Sequence, residues 1–265
     1  MARFRCRACG EESTFVYDGR KDCPNCGATD VQIKVHLWIL SDLHLELTRG
    51  WDLPSGDARP NFDFMIVAGD LIPRMERGVR WLIERVPDRP VIYVPGNHEG
   101  YGCDIDRTVE KARQATAGTS IIILQCDAVR IGEVTSVGAT LWTDFDLFGN
   151  QRRDMSVAGD RMNDYKKIRV SRYAERFRPQ HALARHLQSR AFFEAEMRKP
   201  RGGNKLVAIS HHAPHPGHLF RWTSRSKPLS DEDVLGAAYR SDLTSLMWPS
   251  PKEGHLNTLH PADLW

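Results

Sequence analysis

The chain has 265 residues, 41% of them apolar, enough for one large domain or two small ones with a true core, so a disordered chain is excluded. No apolar run approaches the ~18 residues of a membrane-spanning helix. Net charge is +3, but residues 151–205 carry 15 Lys and Arg against 6 Asp and Glu, a local charge of +9 whose simplest reading is solvated helix faces.

The opening "MARFRCRACGEES" lacks the apolar core of a secretory signal, so a cytoplasmic location and no membrane partner are expected. It also begins a crowding of cysteine: Cys6, Cys9, Cys23 and Cys26 fall close together, while Cys103 and Cys126 stand apart and read as apolar filler. Each CxxC pair is followed at once by a glycine, Gly10 or Gly27, which lets the chain turn so that backbone N–H groups face the thiolates. Paired CxxC knuckles point to a four-sulfur metal site rather than a disulfide framework. A redox reading of either pair needs a preceding βαβ setting that these residues lack. The module, residues 1–33, resembles a zinc ribbon with one structural zinc.

From Lys34 the pattern changes. "KVHLWILSDLHLEL" is an apolar strand running into Asp42 and His44, "FDFMIVAGDL" a second ending at Asp70, and "PVIYVPGNHE" a third ending at Asn97, His98 and Glu99. In each, the polar residues sit at the carboxyl end of a buried strand, where α/β sheets hold their ligands. Helical periodicity over 75–86 places Val79, Leu82, Ile83 and Val86 on one face, and 104–116 supplies a further crossover, so the order reads βαβαβ. "SIIILQ" and "VTSVGATLW" are short, β-branched and not separated by a helix, which predicts a second, antiparallel sheet. "KLVAISHH" is one more strand, ending at His211 and His212. Strand alternation lets one of these two histidines face a given site but does not choose between them. His181 and His186 read as surface or packing residues, and His215 and His218 as pocket-lining or solvent-exposed.

Asp-x-His, Gly-Asp, Gly-Asn-His-Glu and a strand-terminal histidine, in that order, resemble the calcineurin-like metallophosphoesterases over residues 34–265. "GATLWTDF", "MNDYKKI" and "SHHAPHP" are similar to a bacterial subgroup of that family. The resemblance implies a four-layer α-β-β-α sandwich and two divalent metal ions (Mn, Fe, Zn or Ni). It implies that Asp42 and His44 bind the first ion, that Asn97 and His211 bind the second, and that Asp70 bridges them. Bridging by a carboxylate screens the repulsion of two cations, and a hydroxide held between them attacks phosphorus. His98 matches the residue that steadies the transition state or protonates the leaving oxygen, work suited to an imidazole.

The family's closing Gly-His-x-His is met only by Gly254-His255-Leu256-Asn257, which lacks the second histidine and reads as a loop. The final "ADLW" resembles the start of the strand leading to that motif, so the last strands and one nitrogen ligand for each ion are expected to be missing, with an uncovered sheet edge and poor solubility. The expected function is hydrolysis of a phosphomonoester or phosphodiester, on a small molecule rather than a nucleic acid. The competing reading is a zinc-ribbon protein that binds nucleic acid through its basic stretch, with an inactive phosphoesterase domain.

Overall fold

The computed structural model describes residues 2–15, 22–29, 31–48, 50–202, 204–217 and 229–247. Three short strands open the chain: β1 (Ala2–Cys6) pairs antiparallel with both β2 (Glu12–Phe15) and β3 (Val31–Lys34). Cys6 ends β1, and Cys23 to Cys26 form the turn ahead of β3, which brings the two knuckles together.

Four parallel strands follow, β4 (Leu37–Leu40), β5 (Phe64–Ala68), β6 (Val91–Val94) and β7 (Ile121–Ile123), side by side in chain order. Helix α1 (Met75–Arg85) crosses from β5 to β6, and α2 (Ile105–Ala115) from β6 to β7. Asp104 caps α2 by accepting hydrogen bonds from the backbone N–H groups of Asp106 and Arg107. No α-helix joins β4 to β5 among the described residues, so the βαβαβ unit runs from β5 to β7, one strand later than expected.

The second sheet holds β8 (Asp127–Ile131) and β9 (Val134–Ala139), an antiparallel hairpin, with β12 (Lys205–Ser210) parallel to β9. The expectation that "SIIILQ" joins this sheet is corrected: it is β7, the fourth parallel strand of the first. Helix α2 carries the chain back to the end of the first sheet at which its strands begin, so the crossover delivers a parallel strand beside β6. The chain changes sheet only at Cys126, whose φ of 55 turns it into β8. Between β9 and β12 come α3 (Gln151–Arg161), α4 (Asp164–Lys167), the short hairpin of β10 (Arg169–Val170) and β11 (Glu175–Arg176), and α5 (Pro179–Met197). Two short helices, α6 (Asp231–Leu235) and α7 (Thr244–Met247), close the described chain.

Strand alternation sorts the side chains into layers. Met65 and Val67 of β5 pack with Met75, Val79 and Leu82 of α1, all essentially inaccessible to water. Phe64 and Ile66, on the other face, meet Val134 and Ile209 of the second sheet. That sheet's outer face, through Val137 and Ala139, packs on Phe193 of α5. The result is the α-β-β-α sandwich. Each large apolar side chain so buried contributes roughly 1.5–3 kcal/mol of transfer free energy. No described helix is long and apolar enough to cross a membrane. His218, the Gly254–Asn257 stretch and the terminal "ADLW" lie outside the described residues.

Candidate metal centre

Three loops at the carboxyl ends of β4, β5 and β6 are laced together by backbone hydrogen bonds. The N–H groups of Asp42, His44 and Leu45 donate to the carbonyls of Gly69, Asp70 and Leu71 at 3.1, 2.9 and 2.9 Å. The third loop is tied in by Glu99, whose buried carboxylate accepts from the N–H groups of Asp70 (3.0 Å), Leu71 (2.8 Å) and Gly96 (2.7 Å) and from the Tyr93 hydroxyl (2.7 Å). Asp42, His44 and Asp70 are held at φ of 55, 45 and 54, a left-handed conformation that side-chain-bearing residues adopt at a cost of about 1–3 kcal/mol each. Gly96 permits the closest approach: a Cβ there would lie 2.2 Å from Asp70 Oδ1.

Asp70 is at the middle of the cluster and presents one oxygen to each side. Its Oδ1 accepts the His98 backbone N–H (2.9 Å) and lies 3.4 Å from His211 Nε2. Its Oδ2 lies 3.8 Å from His44 Nε2, which in turn is 3.9 Å from Asp42 Oδ1. Ligand atoms of Asp42, Asp70 and His211 all fall within 4.8 Å of one another. Burial, and after it the charge of Glu99, push the Asp70 carboxyl up to about 8. A cation beside it would restore the ionised form at neutral pH.

On the His211 side, hydrogen bonding sets the direction of every lone pair. His211 Nδ1 is 3.0 Å from the Ala68 carbonyl, an acceptor only, so Nδ1 carries the proton and the neutral ring's lone pair is on Nε2. That nitrogen faces Asn97 Oδ1 at 3.0 Å. Asn97 is turned this way because its Nδ2 donates to Asp164 Oδ1 at 2.8 Å, an oxygen that also accepts the Tyr101 hydroxyl at 2.6 Å. Two lone pairs, on His211 Nε2 and Asn97 Oδ1, thus converge beside Asp70 Oδ1. A metal ion suits such a donor set.

His98 lies on the opposite side, stacked on Tyr101 (ring centroids 4.1 Å apart) and edge-on to His44 (4.3 Å). Its Nδ1 is 2.8 Å from Glu46 Oε1, and its Nε2 is 3.9 Å from Asp70 Oδ2. His44, Glu46 and His98 form a second group of donor atoms. All six main-domain positions picked from sequence therefore meet in one place. Glu46, Glu99, Tyr101 and Asp164 were not picked. Glu46, Glu99 and Asp164 lie in the "SDLHLEL", "GNHE" and "MNDYKKI" phrases and Tyr101 two residues past the second, but each depends on a partner distant in the chain.

The neighbouring histidines go elsewhere. His212 is buried against Trp142 (5.1 Å), perpendicular to His211, and burial lowers its pKa well below the usual imidazole value. His186 is fully buried 3.8 Å from Asp144, a packing position, while His215 Nδ1 accepts the Gly217 N–H at 2.9 Å. Cys103 is buried with its thiol toward the Glu99 carbonyl, and Cys126 is only half-buried, so the filler reading holds for the first and not fully for the second.

In the N-terminal module the Gly10 and Gly27 N–H groups return to the Cys6 and Cys23 carbonyls (2.9 and 2.8 Å), closing both knuckles with φ of 74 and 70 at the glycines. Sulfur pairs Cys6–Cys26 and Cys9–Cys23 stand 3.6 and 3.7 Å apart. The Glu11 backbone N–H holds the Cys9 thiol down to about 7. Cys26, although the Ala28 backbone pulls it down, is pushed up to about 12 by the sulfurs of Cys9 and Cys6. The cluster is compatible with a zinc ribbon.

A layered α/β sandwich with carboxylates, an amide and imidazoles gathered at the strand ends is the architecture of a metal-dependent phosphoester hydrolase. The family model for calcineurin-like phosphoesterases matches residues 35–244, and the chain belongs to that family. No curated protein and no solved structure matches the chain significantly.

Proposed function

We propose that the protein hydrolyses a phosphomonoester or phosphodiester with two divalent cations, one held by Asp42, His44 and Asp70 Oδ2, the other by Asp70 Oδ1, Asn97 and His211. The carrying observation is that the two oxygens of one buried carboxylate, Asp70, face two different imidazole nitrogens, His211 at 3.4 Å and His44 at 3.8 Å. When bound, such ions acidify water and neutralise charge growing on the phosphoryl oxygens. The chain's residues do the positioning. Asp164 fixes the face Asn97 shows, Ala68 fixes the His211 tautomer, and Glu99 fixes the loop carrying Asp70. His98, with Nδ1 on Glu46 and Nε2 turned toward Asp70, is placed to donate to a phosphoryl or leaving-group oxygen.

The four cysteines hold a structural zinc in this reading. Ligands about 2.3 Å from zinc stand about 3.8 Å apart at tetrahedral corners, close to the sulfur separations given above. Hydrolysis of aryl phosphate monoesters and diesters, assayed with Mn²⁺, Fe²⁺, Zn²⁺ and Ni²⁺, tests the proposal. Asp70→Asn is expected to lower kcat/KM by at least ~10²-fold, more than loss of an outer-sphere contact costs. Wild-type inactivity with all four metals, or an active Asp70→Asn variant, overturns it.

A further inference from the structure

The basic stretch is not a uniform solvated face, because its cations sort into two groups. Arg153 and Arg161 pair with Asp231 and Glu232, Arg185 with Asp106, Arg198 with Glu194, and Lys199 and Arg201 with Glu196. By contrast, Arg152, Lys166, Lys167, Arg169, Arg172, Arg176, Arg178, Arg190 and Lys205 have no carboxylate within 4.0 Å among the described residues. Six of these nine are concentrated in residues 166–178: Lys166 and Lys167 end α4, Arg169, Arg172 and Arg176 lie on the β10–β11 hairpin, whose one carboxylate is Glu175, and Arg178 caps α5 just past it.

This hairpin adjoins the metal centre. The Gly102 N–H donates to the Lys167 carbonyl (3.0 Å) and the Arg169 N–H to the Cys103 carbonyl (2.9 Å), binding it to the segment just past His98. Lys167 Nζ lies 4.9 Å from the Tyr101 ring, which stacks on His98. Its base is rigid, since Ile168 and Phe177 are buried and joined by a backbone hydrogen bond of 3.1 Å. Two local features oppose stability. Arg169 and Arg176 are directly opposed across the strands, where like charges repel. At the tip, Ser171, Arg172 and Tyr173 hold φ of 55, 56 and 73, with the Tyr173 N–H anchored on buried Asp104 (3.2 Å). Tyr173 is left 47% exposed.

We propose that the hairpin is the docking surface for the phosphodiester backbone of a single-stranded nucleic acid that leads into the metal centre. The proposal rests on the phosphoesterase reading, and it moves the expected substrate from a small molecule to a polyanion. Cations spread along a hairpin match a ligand with repeated charges, whereas one small phosphate needs only a convergent pair. An exposed ring beside the cations suits an unpaired base, which stacks on any aromatic face. An anionic lipid surface is the poorer fit, since residues 171–176 offer no apolar side chain besides Tyr173 and Ala174.

The test is fluorescence anisotropy of the full-length protein with a labelled phosphorothioate oligothymidylate of about 16 nucleotides, the upper span of a typical single-strand site. Wild-type affinity is expected to fall steeply with salt. The triple variant Arg169→Glu/Arg172→Glu/Arg176→Glu is expected to bind at least ~10-fold more weakly, with a log–log salt slope flatter by about 2, given ~0.7 per phosphate contact. Arg198→Glu/Lys199→Glu, among the paired cations, is the control for net charge and is expected to stay within about two-fold of wild type, as rim charges without a contact do. If the triple variant loses its fold by circular dichroism, Arg172→Ala at the exposed tip replaces it and is expected to flatten the slope by about 0.7. Absence of wild-type binding, equal losses in hairpin and control variants, or tighter binding to phosphatidylserine vesicles overturns the proposal. Turnover of a small aryl diester separates the two readings. Unchanged turnover with no oligonucleotide binding removes the docking surface alone, and binding without turnover removes the phosphoesterase reading alone.

Discussion

Asp164 Oδ1 accepts a hydrogen bond from Asn97 Nδ2 at 2.8 Å, across 67 positions of sequence, and so determines which end of the Asn97 amide faces His211. That oxygen already accepts the Tyr101 hydroxyl, so it serves as an acceptor and the amide nitrogen is the end that turns toward it. Replacing the carboxylate by a group that both donates and accepts removes that constraint. Asp164→Asn is therefore expected to weaken binding of one metal ion by about 10–100-fold while leaving the other near its wild-type value. Calorimetric titration of the metal-free protein checks this, and excess metal should restore much of the lost turnover. Equal weakening of both sites would contradict the assignment.

The same centre makes the metal-free protein sensitive to alkali. The Asp70 carboxyl is raised to about 8 in the folded state from an ordinary value near 3.8. Between those values the folded chain binds the extra proton, so stability is lost as pH rises, at up to about 1.4 kcal/mol per pH unit from this group. Metal-free Asp70→Asn is thus expected to melt above wild type at pH 8 and to lose the advantage toward pH 4. Adding Mn²⁺ should reverse the order, because the ion stabilises only the chain that holds it. Thermal melts at both pH values, with and without metal, provide the check.

Gly96 tests the loop packing behind Asp70. A methyl group at this position collides with Asp70 Oδ1 at 2.2 Å and with its backbone nitrogen at 2.6 Å. Neither atom can retreat, since the nitrogen is bonded to Glu99 and the oxygen to the His98 N–H. Gly96→Ala is expected to cost about 1–3 kcal/mol, the usual range for overpacking, and to abolish stoichiometric binding of two ions at the centre. Chemical denaturation and metal analysis read the two effects separately.

Much of this centre is legible in sequence for a physical reason. Buried parallel strands read as apolar runs, and a polar residue at the carboxyl end of such a run has few roles other than holding a ligand or capping a turn. Asp42, Asp70, Asn97 and His211 are visible that way. The residues that orient them are not, because the hydrogen bonds by which Glu99 holds the Asp70 loop and Asp164 holds Asn97 reach segments 28 or more positions away. Nothing local separates those bonds from ordinary surface carboxylates. The placement of Ile121–Ile123 was hidden for another reason: three consecutive isoleucines have no periodicity and suit the interior of either sheet. The sorting of the basic stretch needed the partners Asp106, Asp231 and Glu232, none of which lies within it.

The N-terminal module offers the last test, since its four cysteines and the donors of the phosphoesterase centre differ in chemistry. Thiolates favour zinc, whereas the oxygen and imidazole donors of the centre accept several first-row ions. Cys6 is buried and supplies one corner of the four-sulfur group, so a serine there leaves a weaker ligand inside a closed site. Cys6→Ser is expected to remove one zinc per chain and to expose residues 2–15 and 22–29 to hydrogen exchange, while exchange in β5 and β6 stays at the wild-type level. Three strands of four or five residues make a sheet near the lower limit of independent stability, so loss of a bound metal is expected to loosen it. Elemental analysis and exchange mass spectrometry of the same samples decide the matter: an unchanged zinc content would mean that the four cysteines do not hold the ion.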